Sequence, residues 1–285
     1  MRANSTLALG TIDYRVKSAP IEFTRSLSQS GFAVFSNSPI ADSLVQATYQ
    51  EWTTFFDSDY KQTYQFDPQR QSGYFPMQSE QAKDHCVPDL KEFFHLYEWT
   101  ELPISMTDCT WQLFDQLRQL AAELLCWIED QTPLHIRQCF SQPLSEMIAG
   151  SQSTLMRPIH YPPLPAAVPP DAIRAAAHED INLITLLPAA TAMGLQIQDN
   201  QGNWHDVPGD CGDLVVNVGD MLQLATQGYY RSTTHRVANP QGSAAQYSRL
   251  SMPLFLHPRP EVVLAGNITA YDYLQERLGE LGLLK

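Results

Sequence analysis

The chain has 285 residues, 44% of them hydrophobic, enough for one full-sized core with appendages. Eighteen Lys and Arg against 31 Asp and Glu leave a formal net charge of −13, and no basic run offsets it, which argues against a phosphate-backbone partner. Five cysteines, an odd number without a CxxC pair, argue against a disulfide framework or a thiolate zinc site and predict buried, reduced thiols.

The N-terminal MRANSTLALG carries one Arg and a short apolar patch, too little for a secretory signal. No later stretch has the apolar length to span a bilayer, so a cytoplasmic protein is expected. Helical signals cover Ala41–Phe56 and Met106–Glu129. In the second, Trp111, Phe114, Leu117, Leu120, Leu124, Cys126 and Trp127 recur at helical spacing, the mark of a core-facing stripe. Between them, residues 71–95 (QSGYFPMQSEQAKDHCVPDLKEFFH) mix turn residues, charge and aromatics without a period, and suit a pocket wall or a cover over a sheet edge.

Near residue 150 the texture changes to short apolar runs punctuated by Gly, Pro, Asn and Asp. Residues 1–150 are thus expected to form a helical or mixed region and 151–285 a β-rich core, within one compact unit. Candidate strands are Ser153–Tyr161, Ile181–Leu187, Gly194–Gln198, Trp204–Val207, Asp213–Val218, Met221–Ala225, His235–Val237 and Arg249–Leu256. Eight short strands with brief turns predict an α+β, mainly β fold built on a jelly roll or related barrel. The proline-rich segment 162–172 reads as a surface connection, and Ala270–Leu284 as a final helix with Tyr273, Leu274, Leu278 and Leu281 on its apolar edge.

Chemistry first shows at His178-Glu179-Asp180, where His and Asp two residues apart on an extended backbone project from one face, roughly 6–7 Å along the strand. Chance alone supplies roughly half an HxD triplet in such a chain, so a third ligand must corroborate it. His235, in STTHRV, is the candidate, because two imidazoles and one carboxylate on one face of an octahedron mark non-haem iron(II) oxygenases. Arg249 and Ser251 follow at period-2 spacing, a fork and a short donor that can bind a carboxylate deep in a barrel.

Other features take plainer readings. His85, His95, His135, His205 and His257 are expected near loops or helix edges, solvated or hydrogen-bonded. Asn217-Val218-Gly219-Asp220 reads as a turn between strands. Arg157, four residues before Tyr161, would share its face on a regular strand and is expected to pair with an acidic residue. Tyr74, Phe75, Phe93 and Phe94 suit either a substrate entrance or packing onto the barrel.

The order HxD, distal His, then RxS resembles the isopenicillin N synthase-like family of iron(II)/2-oxoglutarate-dependent dioxygenases. Residues 172–189, 194–210, 214–240 and 247–260 are similar to its successive core segments, and GFAVFSNSPI, GYFP and DLKEFFH carry the likeness into the N-terminal half. The resemblance implies a double-stranded β-helix wrapped by N-terminal helices and closed by a C-terminal helix. It implies His178, Asp180 and His235 as the iron-binding catalytic set, and Arg249 and Ser251 as holders of the distal carboxylate of 2-oxoglutarate. Tyr161 would add its hydroxyl, although relatives commonly have Asn two positions earlier where this chain has Ile159.

It further implies Fe(II), 2-oxoglutarate and O2 as cofactor and cosubstrates, ascorbate as a reductant, and a small-molecule substrate oxidised at a C–H bond, with hydroxylation the leading outcome. The carboxylate at Asp180 argues against the related halogenases, which carry a small residue there. Two alternatives stay open. One is an oxidase or cyclase that uses iron without 2-oxoglutarate, as isopenicillin N synthase and aminocyclopropane carboxylate oxidase do while keeping Arg-x-Ser. The other is a non-catalytic metabolite binder, disfavoured because the ligand set and the Arg/Ser pair are intact.

Overall fold

Short strands with alternating side chains build two sheets that face each other, and helices cover the outer face of the larger one. The computed structural model describes residues 9–80, 87–169 and 171–280. In chain order, β1 (Thr11–Asp13), α1 (Ala19–Ser30), β2 (Phe32–Ser36) and α2 (Asp42–Asp57) lead to β3 (Gly73–Phe75) and β4 (Glu92–Tyr97). Three helices follow: α3 (Cys109–Gln131), α4 (Leu134–Arg137) and α5 (Leu144–Ile148). Next come β5 (Leu155–Met156), β6 (Ile159–Tyr161), β7 (Ala175–His178), β8 (Ile184–Pro188), β9 (Leu195–Gln198), β10 (Trp204–Asp206) and β11 (Leu214–Val218). The chain then runs through α6 (Asp220–Ala225), β12 (His235–Val237), β13 (Arg249–Ser251), β14 (Leu254–Leu256), β15 (Val263–Ala265), β16 (Ile268–Thr269) and α7 (Ala270–Glu280).

The major sheet has ten strands in the order β1-β2-β11-β8-β14-β5-β4-β6-β13, with β3 added on β4; the minor sheet is β10-β9-β12-β7. Period-2 alternation gives each strand of the major sheet two different faces. Phe35, Phe94, Ile184, Leu186, Val216 and Leu254 point to the helices and form the large core with α1, α2 and α3. Each fully buried Leu or Phe there contributes about 1.5–3 kcal/mol. The opposite face meets the minor sheet in two smaller apolar clusters, one around Phe32, Leu187 and Ile197, the other around Phe93, Tyr161, Ala175 and Val237. The polar residues inside the barrel lie on this inner face, alternating with the core residues, and it is here that a site can form.

Gly31 ends α1 in the left-handed region (φ 73) and donates its N–H to the Leu27 carbonyl. A Cβ there would also lie 2.3 Å from Thr233 Oγ1, so only glycine lets α1 turn directly into β2.

The β-rich reading holds, with corrections. Met221–Ala225 is helical within α6, not a strand, because Met, Leu and Ala are good helix formers and Asp220 favours a helix N-terminus. Ser153–Tyr161 and Arg249–Leu256 each break into two strands, at Arg157–Pro158 and Met252–Pro253, since proline lacks the N–H a ladder needs. The first half contains β1 to β4, α1, α4 and α5 besides the two expected helices, and residues 73–75 and 92–97, the latter beginning in the aperiodic segment, are strands of the major sheet. Cys109, Cys126, Cys139 and Cys211 are free, but Cys109 is only half-buried and the other three are exposed; Cys86 and His85 lie outside the described residues. Helix α7 packs Tyr273 and Leu274 on the core; residues 281–284 of the expected helix lie outside the described residues. Among the described residues, no helix is long and apolar enough to cross a membrane.

Candidate active site

His178 ends β7 and His235 begins β12, and the two are partners in the ladder between these strands. The register slips between His235 and Val237, so Ala175 pairs with Val237 and an extra residue of β7 is accommodated between Ala175 and His178. Asp180 lies two residues beyond the end of β7, outside any strand, and not on the regular extended stretch expected from HxD spacing. The loop nevertheless brings it to the histidines: one donor atom from each of His178, Asp180 and His235 lies within 4.8 Å of the others, a set that could hold one metal ion.

Local hydrogen bonds fix which atoms face the centre. His178 Nδ1 lies 2.7 Å from the Ala176 carbonyl and His235 Nδ1 lies 3.1 Å from the Thr233 carbonyl. A carbonyl only accepts, so both rings carry the proton on Nδ1 and keep the Nε2 lone pair free. Asp180 Oδ2 accepts from Thr185 Oγ1 at 2.6 Å and from Asn217 Nδ2 at 2.7 Å, while Oδ1 stands 3.7 Å from His235 Nε2. Burial would raise the Asp180 pKa, but His235, His178 and the two donated hydrogen bonds outweigh it and hold the carboxyl below its ordinary range. Burial and the neighbouring His235 push His178 down to about 4, keeping it neutral. Phe32, from the adjacent apolar cluster, packs against His235 in a T-shaped pair with ring centroids 5.5 Å apart.

Arg249 and Tyr161 are direct partners across β13 and β6, and Ser251 follows opposite Ile159. All three are almost fully buried, at 2%, 2% and 4% exposure for Arg249, Tyr161 and Ser251. Arg249 Nε donates to the Ala192 carbonyl at 2.9 Å, and the guanidinium lies 5.1 Å from the Tyr161 ring centroid. Its NH1 is buried without a hydrogen-bond partner among the described residues. A buried, partnerless guanidinium nitrogen is costly, and a carboxylate delivered to it would remove that cost.

The sequence reading missed several residues around this centre. Asn217, read as part of a turn, lies on β11 opposite Thr185 of β8, both on the inner face; Gly219 joins β11 directly to α6, which begins at Asp220, and not to a strand. Lys91, between Glu80 at 2.6 Å and Asp89 at 2.8 Å, and Arg174, 1% exposed, were also missed. Their signal was a charged residue inside an apolar run, DLKEFF and AIRAAA. Arg157 does pair with an acid, Glu80 at 3.4 Å, and stacks its guanidinium 4.8 Å from the Phe93 ring. Phe75 and Phe93 stack on the inner face at 4.4 Å, whereas Tyr74 and Phe94 join the helix-side core. His95, buried in β4, lies 3.2 Å from the Gln71 carbonyl and His205, in β10, 2.8 Å from Asp199, so both are hydrogen-bonded as expected although they sit on strands; His257 follows β14 and is partly buried.

Comparison with known proteins adds the family. Residues 152–258 match the model of the 2OG-Fe(II) oxygenase superfamily, and residues 20–115 that of the N-terminal region of non-haem dioxygenases in morphine synthesis. A Shewanella oneidensis protein provisionally named an oxygenase is 48% identical and superposes with a TM-score of 0.88 over 97% of this chain and 99% of its own. The 2-oxoglutarate-dependent dioxygenase citB of Monascus ruber is 30% identical over 203 residues, 62% of this chain and 60% of that protein. Proline hydroxylase buaE of Petromyces alliaceus is 28% identical over 89% of this chain and 90% of its own length. The chain spans 42 to 60% of the length of the first curated relatives it matches.

Proposed function

This chain belongs to the 2OG-Fe(II) oxygenase superfamily, and from that premise we infer that it is an iron(II)- and 2-oxoglutarate-dependent dioxygenase that hydroxylates a C–H bond of a small molecule. The observation that carries the reading is the pairing, inside one barrel, of a His-Asp-His donor set with a buried guanidinium nitrogen that has no hydrogen-bond partner among the described residues. His178, Asp180 and His235 would hold iron(II), the metal that a set of two imidazoles and one carboxylate suits. Arg249, Ser251 and Tyr161 would hold the distal carboxylate of 2-oxoglutarate. Once bound, iron and oxoacid together supply the oxidation: O2, 2-oxoglutarate and R–H give succinate, CO2 and R–OH.

The chain's own residues do the rest. Thr185 and Asn217 hold one oxygen of Asp180 and so aim the other, and the carbonyls of Ala176 and Thr233 fix the histidine tautomers. Phe32, Phe93 and Ile197 keep water from the walls of the barrel.

Anaerobic titration of the metal-free chain with iron(II) and then 2-oxoglutarate tests the reading. A weak visible charge-transfer band is expected, absent in His178→Ala because iron is no longer held. Arg249→Ala should retain iron but require far more 2-oxoglutarate. A wild type that binds iron yet develops no band with the oxoacid would overturn the assignment.

A further inference from the structure

A second buried cation stands beside Arg249. Arg174 immediately precedes β7 and is 1% exposed, as fully buried as the large apolar side chains of the core. Its backbone N–H donates to Asn239 Oδ1 at 2.9 Å, and its NH2 donates to the Tyr247 carbonyl at 2.9 Å. Among the described residues its Nε is buried with no hydrogen-bond partner, and no carboxylate forms an ion pair with it. The guanidinium lies 6.0 Å from the centroid of the Tyr161 ring, the same ring that Arg249 approaches at 5.1 Å. The two charges are therefore at most about 11 Å apart.

Two buried guanidiniums around one tyrosine, neither paired to an acid among the described residues, are unfavourable without an anion. Burial and the nearby Arg249 both pull the Arg174 pKa below its ordinary value, yet a guanidinium stays charged. A single carboxylate at Arg249 would satisfy its orphaned NH1 and also lie in the field of Arg174. The geometry points to a role that the sequence pattern does not carry: we propose that Arg174 is a further determinant of 2-oxoglutarate affinity, a second positive charge that draws the distal carboxylate to Arg249 and Tyr161. This rests on the 2-oxoglutarate reading given above. At separations of this order in a partly screened interior, one charge is worth about tenfold in dissociation constant.

The alternative is purely structural: Arg174 would do no more than tie the Tyr247 carbonyl, and with it the approach to β13, to the start of β7. Two variants separate the roles. Arg174→Gln keeps an N–H for that carbonyl and loses the charge, while Arg174→Lys keeps the charge. The iron(II)-loaded proteins are titrated anaerobically with 2-oxoglutarate, reading the charge-transfer band, with iron affinity and melting temperature measured in parallel. Arg174→Gln is expected to raise the 2-oxoglutarate dissociation constant about tenfold with iron affinity unchanged, and Arg174→Lys to stay within about threefold of wild type. Binding by Arg174→Gln within twofold of wild type overturns the proposal, as does a Lys variant as weak as the Gln variant. A wild type that holds iron but shows no band removes the 2-oxoglutarate reading itself, and this proposal with it.

Discussion

Asp180 can offer one oxygen to a metal because its other oxygen is held. Thr185 Oγ1 and Asn217 Nδ2 both donate to Oδ2, and Asn182 Nδ2 in turn donates to Thr185 Oγ1 at 2.9 Å, which leaves the threonine proton for the aspartate. Such outer partners orient a ligand and raise its affinity for metal, typically by 10–100-fold. Thr185→Val and Asn217→Leu are each expected to weaken iron(II) binding about tenfold, and the double variant more, measured by competition with a chelator under anaerobic conditions. A double variant with wild-type iron affinity would show that Asp180 needs no such support. The three donor residues and Arg249 stood out as candidates in the sequence because HxD, common by chance on its own, is followed in order by a further His and by RxS, and the fold brings the three donors together. Asn217 and Thr185 were not, because Asn and Thr are common on strands and only the register places them against the same carboxylate. Arg174 left only a faint trace, a charge inside the apolar run AIRAAA, whose meaning depends on its burial and its neighbours.

The elements around the centre were legible where one face is wet and the other dry, and illegible where both faces are covered. Strands β2, β4, β8 and β11 are covered by helices on one side and by the minor sheet or the site on the other, so their apolar runs carry little period-2 signal. Short runs such as MLQLA are equally ambiguous, and local chemistry decides for helix α6. That helix is locked to the Asp180 loop: Gly219 N donates to the Leu183 carbonyl, Asp220 N to the Asp180 carbonyl at 2.7 Å, and Met221 N to the Asn182 carbonyl at 3.1 Å. Gly219 has an ordinary extended φ of −105, so its backbone asks for no glycine. Its surroundings do, since a Cβ would lie 2.2 Å from both the carbonyl and side-chain oxygens of Asn182. Gly219→Ala must displace Asn182, which positions Thr185, so a loss of about 1–3 kcal/mol in urea unfolding should come with weaker iron binding. Lost stability with unchanged iron affinity would separate the α6 junction from the metal site.

The whole molecule joins a dry helix-side core to a barrel interior rich in buried ionisable groups, and this division makes its stability depend on pH. Burial holds His257 and His178 at about 4 and pulls His95 well down, Arg157 assisting in the last case. In the unfolded chain these imidazoles titrate near 6.5. Below that pH the unfolded state binds more protons than the folded one, so stability is full above about 6.5 and is lost as pH falls toward the folded values. Glu80 and Asp180 are also held below their ordinary range, despite burial, by Lys91 and Arg157 in one case and by the two histidines in the other. Their stabilisation is full above about 4.5 and fades only below it, so the interval from about 4.5 to 6.5 reports the histidines. Each contributes up to about 1.4 kcal/mol per pH unit there. The net charge of −13 acts in the opposite direction, because partial neutralisation on acidification relieves self-repulsion. Urea midpoints of the metal-free protein are expected to fall from pH 6.5 to 4.5, and His257→Asn to make that fall shallower. Midpoints that hold steady or rise across this interval would mean that relief of surface repulsion, not the cost of keeping imidazoles neutral inside the barrel, governs the response to acid.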